Sequence, residues 1–142
     1  MENQLSEIIT KEIFDKQKVG LSGEFFVAAE LLKRNFQVSL TFGNAKAVDI
    51  IAFKDELYPK KIQVKTLRAH NAYTVDKNKL LGNYFVFVIL NEIGQQPIFY
   101  VIDGETINAN LGRFYGSSID SKRETVNYGS LKIYKDNWKI LE

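Results

Sequence analysis

The chain has 142 residues, of which 45% are hydrophobic and 25% charged, a balance that excludes a disordered, collagenous or low-complexity protein and predicts one domain over residues 1–142. It contains no cysteine and one histidine, which excludes disulfides, thiolate zinc sites and any site that needs two imidazoles. The net charge is only +2, but residues 31–68 carry eight basic and three acidic residues. This segment is where a polyanion would be expected to bind, although on charge alone lysines that keep a sheet edge soluble are the simpler explanation.

Apolar spacing predicts two helices at the start of the chain. The first is indicated by residues that recur at intervals of three and four, and it is expected to end before Val19-Gly20. Its apolar positions are Leu5, Ile8, Ile9 and Ile13. The second helix is predicted from Ser22, whose side chain is suited to cap a helix start, to Leu32, with Asn35 as a left-handed stop.

Short apolar and alternating segments predict five strands after the helices, at residues 37–42, 47–53, 61–66, 84–90 and 98–103. A short helix is expected at 105–111 and mostly loop over 112–129, while 131–141 is compatible with a strand or with mixed structure. Helices that precede a mainly antiparallel run of strands indicate an α+β or mixed α/β fold.

Glu24 interrupts the apolar face of the second predicted helix. It precedes Val27, Ala28 and Leu31 by three, four and seven residues, so a helical period places its carboxylate on their side of the helix. An acid in the first turn of a helix also complements the positive end of the helix dipole. The sequence alone leaves both explanations open.

Asp49 is the one charged residue in the predicted strand at 47–53. Both faces of this strand are otherwise apolar, so we expect it to be buried. A buried carboxylate needs hydrogen-bond partners or a cation, because an unpaired charge costs several kcal/mol. The alternative to a functional role is a structural Asp bonded to loop amides.

Lys61, Gln63 and Lys65 form the polar face of the next predicted strand. If the two strands pair as an antiparallel hairpin with matched apolar faces, Asp49 must lie opposite an odd-numbered residue, Gln63 or Lys65. We therefore expect Asp49, Gln63 and Lys65 to cluster. Glu24 would join them if its helix packs over the same face.

Such a cluster suits metal-assisted hydrolysis of a phosphodiester. Glu24 and Asp49 offer carboxylate oxygens and Gln63 an amide oxygen, which are ligands that Mg²⁺ accepts. A bound cation polarises a phosphoryl oxygen and acidifies a bound water, while Lys65 would position or deprotonate that water or stabilise charge on the phosphate. The alternative for Gln63-Val64-Lys65 is a solvent-facing strand edge without function.

The order of three segments resembles the PD-(D/E)XK nuclease superfamily. The matching residues are Gly23-Glu24 opening a helix, Val48-Asp49-Ile50-Ile51 on a strand, and Gln63-Val64-Lys65 on the next strand. The resemblance covers about residues 20–66. Within the superfamily, the chain is similar to small endonuclease-like proteins related to archaeal Holliday junction resolvases and Mrr-type restriction endonucleases.

The resemblance implies a restriction-endonuclease-like core, with a central mixed sheet of about five strands flanked by helices. It also implies DNA cleavage that depends on Mg²⁺ or Mn²⁺, often by a homodimer, with branched or duplex DNA as the partner. Its expected metal ligands are Asp49, Glu24, Gln63 and the backbone carbonyl of Val64, and its expected catalytic lysine is Lys65.

Two positions depart from the family pattern. Val48 stands where the name of the motif has proline, and Gln63 replaces the usual glutamate, which removes one negative charge and lowers the expected cation affinity. Nucleic-acid contacts are expected from Lys46 and Arg68, which flank the motif residues in the positive segment.

Two other functions are compatible with the sequence. One is a non-catalytic nucleic-acid-binding or interaction module that retains the nuclease fold without a working metal site, motivated by Gln63 and the modest net charge. The other is a small enzyme that acts on a different phosphate-containing substrate. The longest apolar run, residues 85–90, is too short to cross a bilayer and no signal-peptide pattern is present, so a cytoplasmic protein without a membrane partner is expected.

Overall fold

The computed structural model describes residues 2–41, 48–55 and 57–142, without the side chains of residues 5–15. Its helices are α1 (Glu2–Lys33), α2 (Gly104–Ala109) and α3 (Leu111–Tyr115). Its strands are β1 (Gln37–Leu40), β2 (Ile50–Phe53), β3 (Lys60–Leu67), β4 (Tyr73–Thr74), β5 (Tyr84–Ile89), β6 (Ile98–Asp103) and β7 (Thr125–Val126). Short 3-10 helices lie at Lys77–Lys79, Gly116–Ser118, Tyr128–Tyr134 and Trp138–Leu141.

Five strands form one mixed sheet in the order β1-β2-β3-β5-β6, which confirms the predicted fold class. Neighbouring strands are antiparallel except β3 and β5, which run parallel. The segment between these two strands contains β4, which pairs with β7 in a separate two-stranded sheet. Because β3 and β5 are parallel, their carboxyl ends meet at the same end of the main sheet.

Each face of the main sheet contributes residues to its own core cluster. Even-numbered residues of β2, β3 and β5, such as Ile62 and Val86, pack with Val27 and Leu31 of α1. Odd-numbered residues of β5, such as Phe87, pack on the other side, against the chain segments that carry β4, β7, α2 and α3. Helix α1 therefore covers one face only, which we call the helix face; the other is the opposite face.

The opposite face also contains buried tyrosines. The hydroxyl of Tyr73 donates to the Val88 carbonyl oxygen at 2.9 Å, and that of Tyr115 donates to the Val75 carbonyl oxygen at the same distance. Burial raises the pKa of both hydroxyls above the usual range, because it disfavours the phenolate. These groups are neutral hydrogen-bond donors of the core.

The prediction of two separate helices is wrong, because α1 continues through Val19 and Gly20. A glycine inside a helix costs only about 1 kcal/mol of stability relative to alanine. This cost does not outweigh the packing of the later residues of α1 against the sheet. Ser22 consequently lies inside α1 and does not cap a helix start. The predicted stop is confirmed, since Asn35 has φ 69° and the Phe36 N–H donates to the Leu31 carbonyl oxygen at 3.0 Å.

Other boundaries differ modestly from the prediction. Strand β1 ends at Leu40 and β2 begins at Ile50, and the parts of the predicted strands at residues 42 and 47 lie outside the described residues. The predicted loop over 112–129 contains most of α3 and all of β7, and the end of the chain forms 3-10 helices. In the described parts of the chain, no helix combines the length and hydropathy that a bilayer span requires.

Candidate active site

Asp49 lies one residue before β2 and is held against β3 by two hydrogen bonds. Its backbone N–H donates to the Ile62 carbonyl oxygen at 3.2 Å, and its Oδ2 accepts from the Val64 N–H at 2.8 Å. The carboxylate thus takes a position in the ladder that a backbone carbonyl would otherwise occupy. It lies in the plane of the sheet rather than on either face.

The register of β2 and β3 confirms the predicted pairing of odd-numbered residues. Ile50 lies opposite Ile62 and Ile51 lies opposite Lys61. Asp49 precedes these pairs, and its own N–H donates to the Ile62 carbonyl oxygen. A shift by one residue would place apolar side chains on the wrong faces of the sheet. The apolar pattern therefore fixes the register of β2 against β3.

Thr41 orients the backbone that leads into Asp49. Its hydroxyl donates to the carbonyl oxygens of Val48 and Asp49, the latter at 3.2 Å, and its N–H donates to the Asp49 carbonyl oxygen at 3.0 Å. The Asp49 backbone is therefore bonded on both sides, to Thr41 and to Ile62. Sequence reasoning missed Thr41, for which the only available signal was a hydroxyl residue at the predicted end of the first strand.

Gln63 and Lys65 are half-buried residues of β3. Strand alternation places both on the opposite face, together with Leu67, which packs against the core cluster of that face. Their side chains flank Val64, whose N–H holds the Asp49 carboxylate. The Asp49 carboxylate therefore lies next to the residue that separates Gln63 from Lys65.

Glu24 reaches this end of the sheet from the helix face, so the expectation that the four side chains share one face is wrong. Its side chain is buried, with 8% exposure, and it lies on the side of α1 that packs against Ile62 and Val64. The preceding Gly23 is tightly packed against Thr66 of β3. The helix occupies this face because branched apolar residues of β2, β3 and β5 cover it, whereas Lys61, Gln63 and Lys65 point away.

The oxygen donors at this end of the sheet fit a hard divalent cation. Within residues 2–41, 48–55 and 57–142, no group of three or more His, Cys, Asp or Glu side chains is placed to share a metal ion. The donors proposed from the sequence are two carboxylates, the Gln63 amide and the Val64 carbonyl. In a strand, the N–H and C=O of one residue point to the same side, so the Val64 carbonyl faces the edge where its N–H holds Asp49.

Of the two residues expected to contact nucleic acid, the structure describes Arg68. Arg68 is exposed directly after β3 and lines a surface cleft with residues of α1. Lys46 lies outside the described residues. Lys16, which lines the same cleft as Arg68, was not singled out from the sequence, because its position beside β3 depends on how α1 crosses the sheet.

Comparison with known proteins identifies the fold. No protein-family model matches the chain, and no curated protein matches its sequence. The bacterial homing endonuclease I-Ssp6803I is similar in structure, with a TM-score of 0.58, 17% identity and coverage of 89% of this chain and 91% of that one. The Holliday junction resolvase Hjc of Archaeoglobus fulgidus, an archaeal hyperthermophile, has a TM-score of 0.55, 13% identity and coverage of 85% and 93%. The chain therefore has a restriction-endonuclease-like fold, as the motif resemblance implied.

Proposed function

We propose that the protein is a Mg²⁺- or Mn²⁺-dependent endodeoxyribonuclease, resolvase-like or restriction-like, that hydrolyses phosphodiester bonds of duplex or branched DNA. The observation that carries the proposal is the Asp49 carboxylate, which accepts a hydrogen bond from the N–H of Val64, the residue between Gln63 and Lys65 on β3. The nuclease fold shared with a homing endonuclease and a junction resolvase supports it.

Each residue of the proposed site has a distinct role. Asp49, Glu24, Gln63 and the Val64 carbonyl would hold the cation, which when bound supplies polarisation of a phosphoryl oxygen and a more acidic water. The hydrogen bond from the Val64 N–H keeps the Asp49 carboxylate in one orientation. Lys65, on the next outward position of β3 after Gln63, offers N–H donors to a phosphate oxygen or to the attacking water, where negative charge develops.

Metal titration by calorimetry tests the proposal with two variants, one expected to tighten Mg²⁺ binding and one expected to weaken it. Gln63→Glu should tighten Mg²⁺ binding about tenfold, because it adds a carboxylate to the ligands. Asp49→Asn should weaken binding by a similar factor or abolish it, since it removes charge while keeping an oxygen that accepts from the Val64 N–H. Gln37→Glu is the matched control, because it adds the same charge to exposed β1 opposite Phe53, at the far end of the sheet.

Equal Mg²⁺ affinities of Gln63→Glu and Gln37→Glu would contradict the proposed metal site. A protein that binds DNA with strong salt dependence, yet is indifferent to Mg²⁺ and to Asp49→Asn, would instead be the non-catalytic binding module. Activity on mononucleotides together with no activity on DNA would favour an enzyme that acts on a different phosphate-containing substrate.

In this proposal the chain acts as a homodimer, because one centre cuts one strand and a two-fold related copy supplies a second centre. Large apolar side chains exposed along α1 support a protein contact there; they are Leu21, Phe25, Phe26 and Leu32, with 42–58% exposure. Leu21, Phe25 and Leu32 are spaced by four and seven residues, which is the repeat by which two helices pack along a shared seam.

Light scattering across a dilution series tests the dimer. Phe25→Glu should weaken self-association at least about tenfold, since it places a charge in an apolar contact. Ile133→Glu is the control, because Ile133 is 71% exposed in a different part of the chain and should leave the mass distribution unchanged. A wild-type protein that is monomeric throughout the series, or a Phe25→Glu variant that associates as the wild type does, would argue against this interface.

A further inference from the structure

Helix α1 extends beyond the end of the sheet at which Asp49 lies. Gly23 packs against Thr66, near the carboxyl end of β3. The other end of α1 leads through Asn35 into β1, whose first residue, Gln37, pairs with the last residue of β2. The helix and β3 therefore run in opposite directions, and the residues before Gly23 continue past the carboxyl end of β3.

A cleft of about 230 Å³ lies where α1 passes this end of the strand. It is lined by Lys16 and Val19 of α1 and by Thr66, Leu67 and Arg68 at the end of β3. Among the described side chains of the lining, the charged ones are Lys16 and Arg68, which are cationic and exposed. A cleft to which two different elements each contribute a cation is suited to an anion.

We infer that this cleft binds a backbone phosphate of the DNA strand beside the cleavage site. Arg68 follows Lys65 by three residues at the end of β3, a distance of about 10 Å along an extended chain, which matches the rise of about three base pairs along the axis of a duplex. The guanidinium of Arg68 suits two-point contact with phosphate oxygens, and Lys16 adds a compact charge. The inference rests on the proposed function, because it takes DNA as the substrate.

Binding to a short DNA duplex without Mg²⁺, followed by fluorescence anisotropy across a series of salt concentrations, tests the cleft without any cutting. Each phosphate contact contributes about 0.9 to the slope of log K against log salt. Lys16→Ala should lower the slope by about this amount and weaken binding several-fold at low salt. Lys16→Arg should restore both, and alanine at this exposed helical position is compatible with the fold.

Lys139→Ala is the matched control. It removes the same charge from an exposed lysine two residues before Leu141, which lines a different cleft with Phe36 and Lys60, at the amino end of β3. It should leave the slope unchanged. A slope that falls equally, or not at all, in the Lys16→Ala and Lys139→Ala proteins would overturn the inference.

Further outcomes separate this inference from the proposed function. A slope that falls in Lys16→Ala, in a protein that never cleaves DNA with Mg²⁺ or Mn²⁺, would uphold the cleft and reject the nuclease. Cleavage by the wild type, with a slope that is unchanged in Lys16→Ala, would uphold the nuclease and reject the cleft. A wild-type protein that does not bind DNA would overturn both the cleft and the nuclease. Inorganic phosphate that binds wild type but not Lys16→Ala, with the duplex slope unchanged, would show a free-anion site and also overturn the inference.

Discussion

Lys65→Met is expected to lower the rate of Mg²⁺-dependent DNA cleavage by about 10²–10⁴-fold, the range seen when an acid–base group or a donor to developing charge is removed. Lys65 is half-buried on β3, beside the proposed ligand Gln63. Methionine keeps the length and apolar contacts of the side chain but has no N–H to donate. Plasmid nicking with purified protein measures the effect, and the free energy of unfolding checks that the variant is folded.

Lys61→Met is the control for this substitution. Lys61 lies on the same strand and the same face as Lys65 but is exposed and opposite Ile51 rather than near Asp49. It should retain cleavage within a few-fold of wild type. Similar rates for Lys65→Met and Lys61→Met would show that Lys65 is not the catalytic lysine.

Asp49→Asn is expected to lose cleavage to a similar degree for a different reason. It keeps an oxygen for the Val64 N–H but removes the charge that would hold the cation. Asp49→Ala should also lose the hydrogen bond and with it about 1 kcal/mol of stability. Cleavage that persists in both variants would reject the metal site, and a nuclease activity at another place in the chain would then have to explain it.

Gly23→Ala is expected to destabilise the protein by about 2 kcal/mol, in spite of the better helix propensity of alanine. A Cβ at this position would overlap the Thr66 Oγ1 and would lie 2.8 Å from both Cβ and Cγ2 of Thr66. Rotation of the threonine side chain does not relieve a contact to its own Cβ. The helix must therefore move away from β3, which also moves the neighbouring Glu24 from the site. Thermal or urea unfolding measures the loss.

Gly20→Ala provides the comparison within the same helix. A Cβ built on Gly20 meets nothing within 4 Å, so this change should stabilise the protein by about 1 kcal/mol through helix propensity. Thr66→Ala, combined with Gly23→Ala, should recover part of the loss, because the two residues are in contact and their effects are not additive. A Gly23→Ala protein as stable as Gly20→Ala would contradict the close approach of α1 to β3.

Much of the sheet and its site was predictable from local patterns. Residues 98–103 were predicted as a strand with the bounds that β6 has, and the pairing of odd-numbered with odd-numbered residues in β2 and β3 followed from apolar alternation in two short segments. These predictions succeeded because the period of a strand is two residues. Once one face of a hairpin must be apolar, only every second register satisfies it.

Only the tertiary structure decided which face of the sheet α1 covers. Strand β5 is apolar on both sides, with Val86 facing α1 and Phe87 facing the other core cluster, so no local pattern distinguishes the two faces. The same packing places Glu24 on the helix face, keeps α1 continuous through Gly20, and brings Lys16 beside Arg68. Composition and spacing thus determined which side chains are candidates for the proposed chemistry and how the two strands align, because these depend on neighbours along the chain. Contacts between residues far apart in sequence determined from which side the helix approaches them.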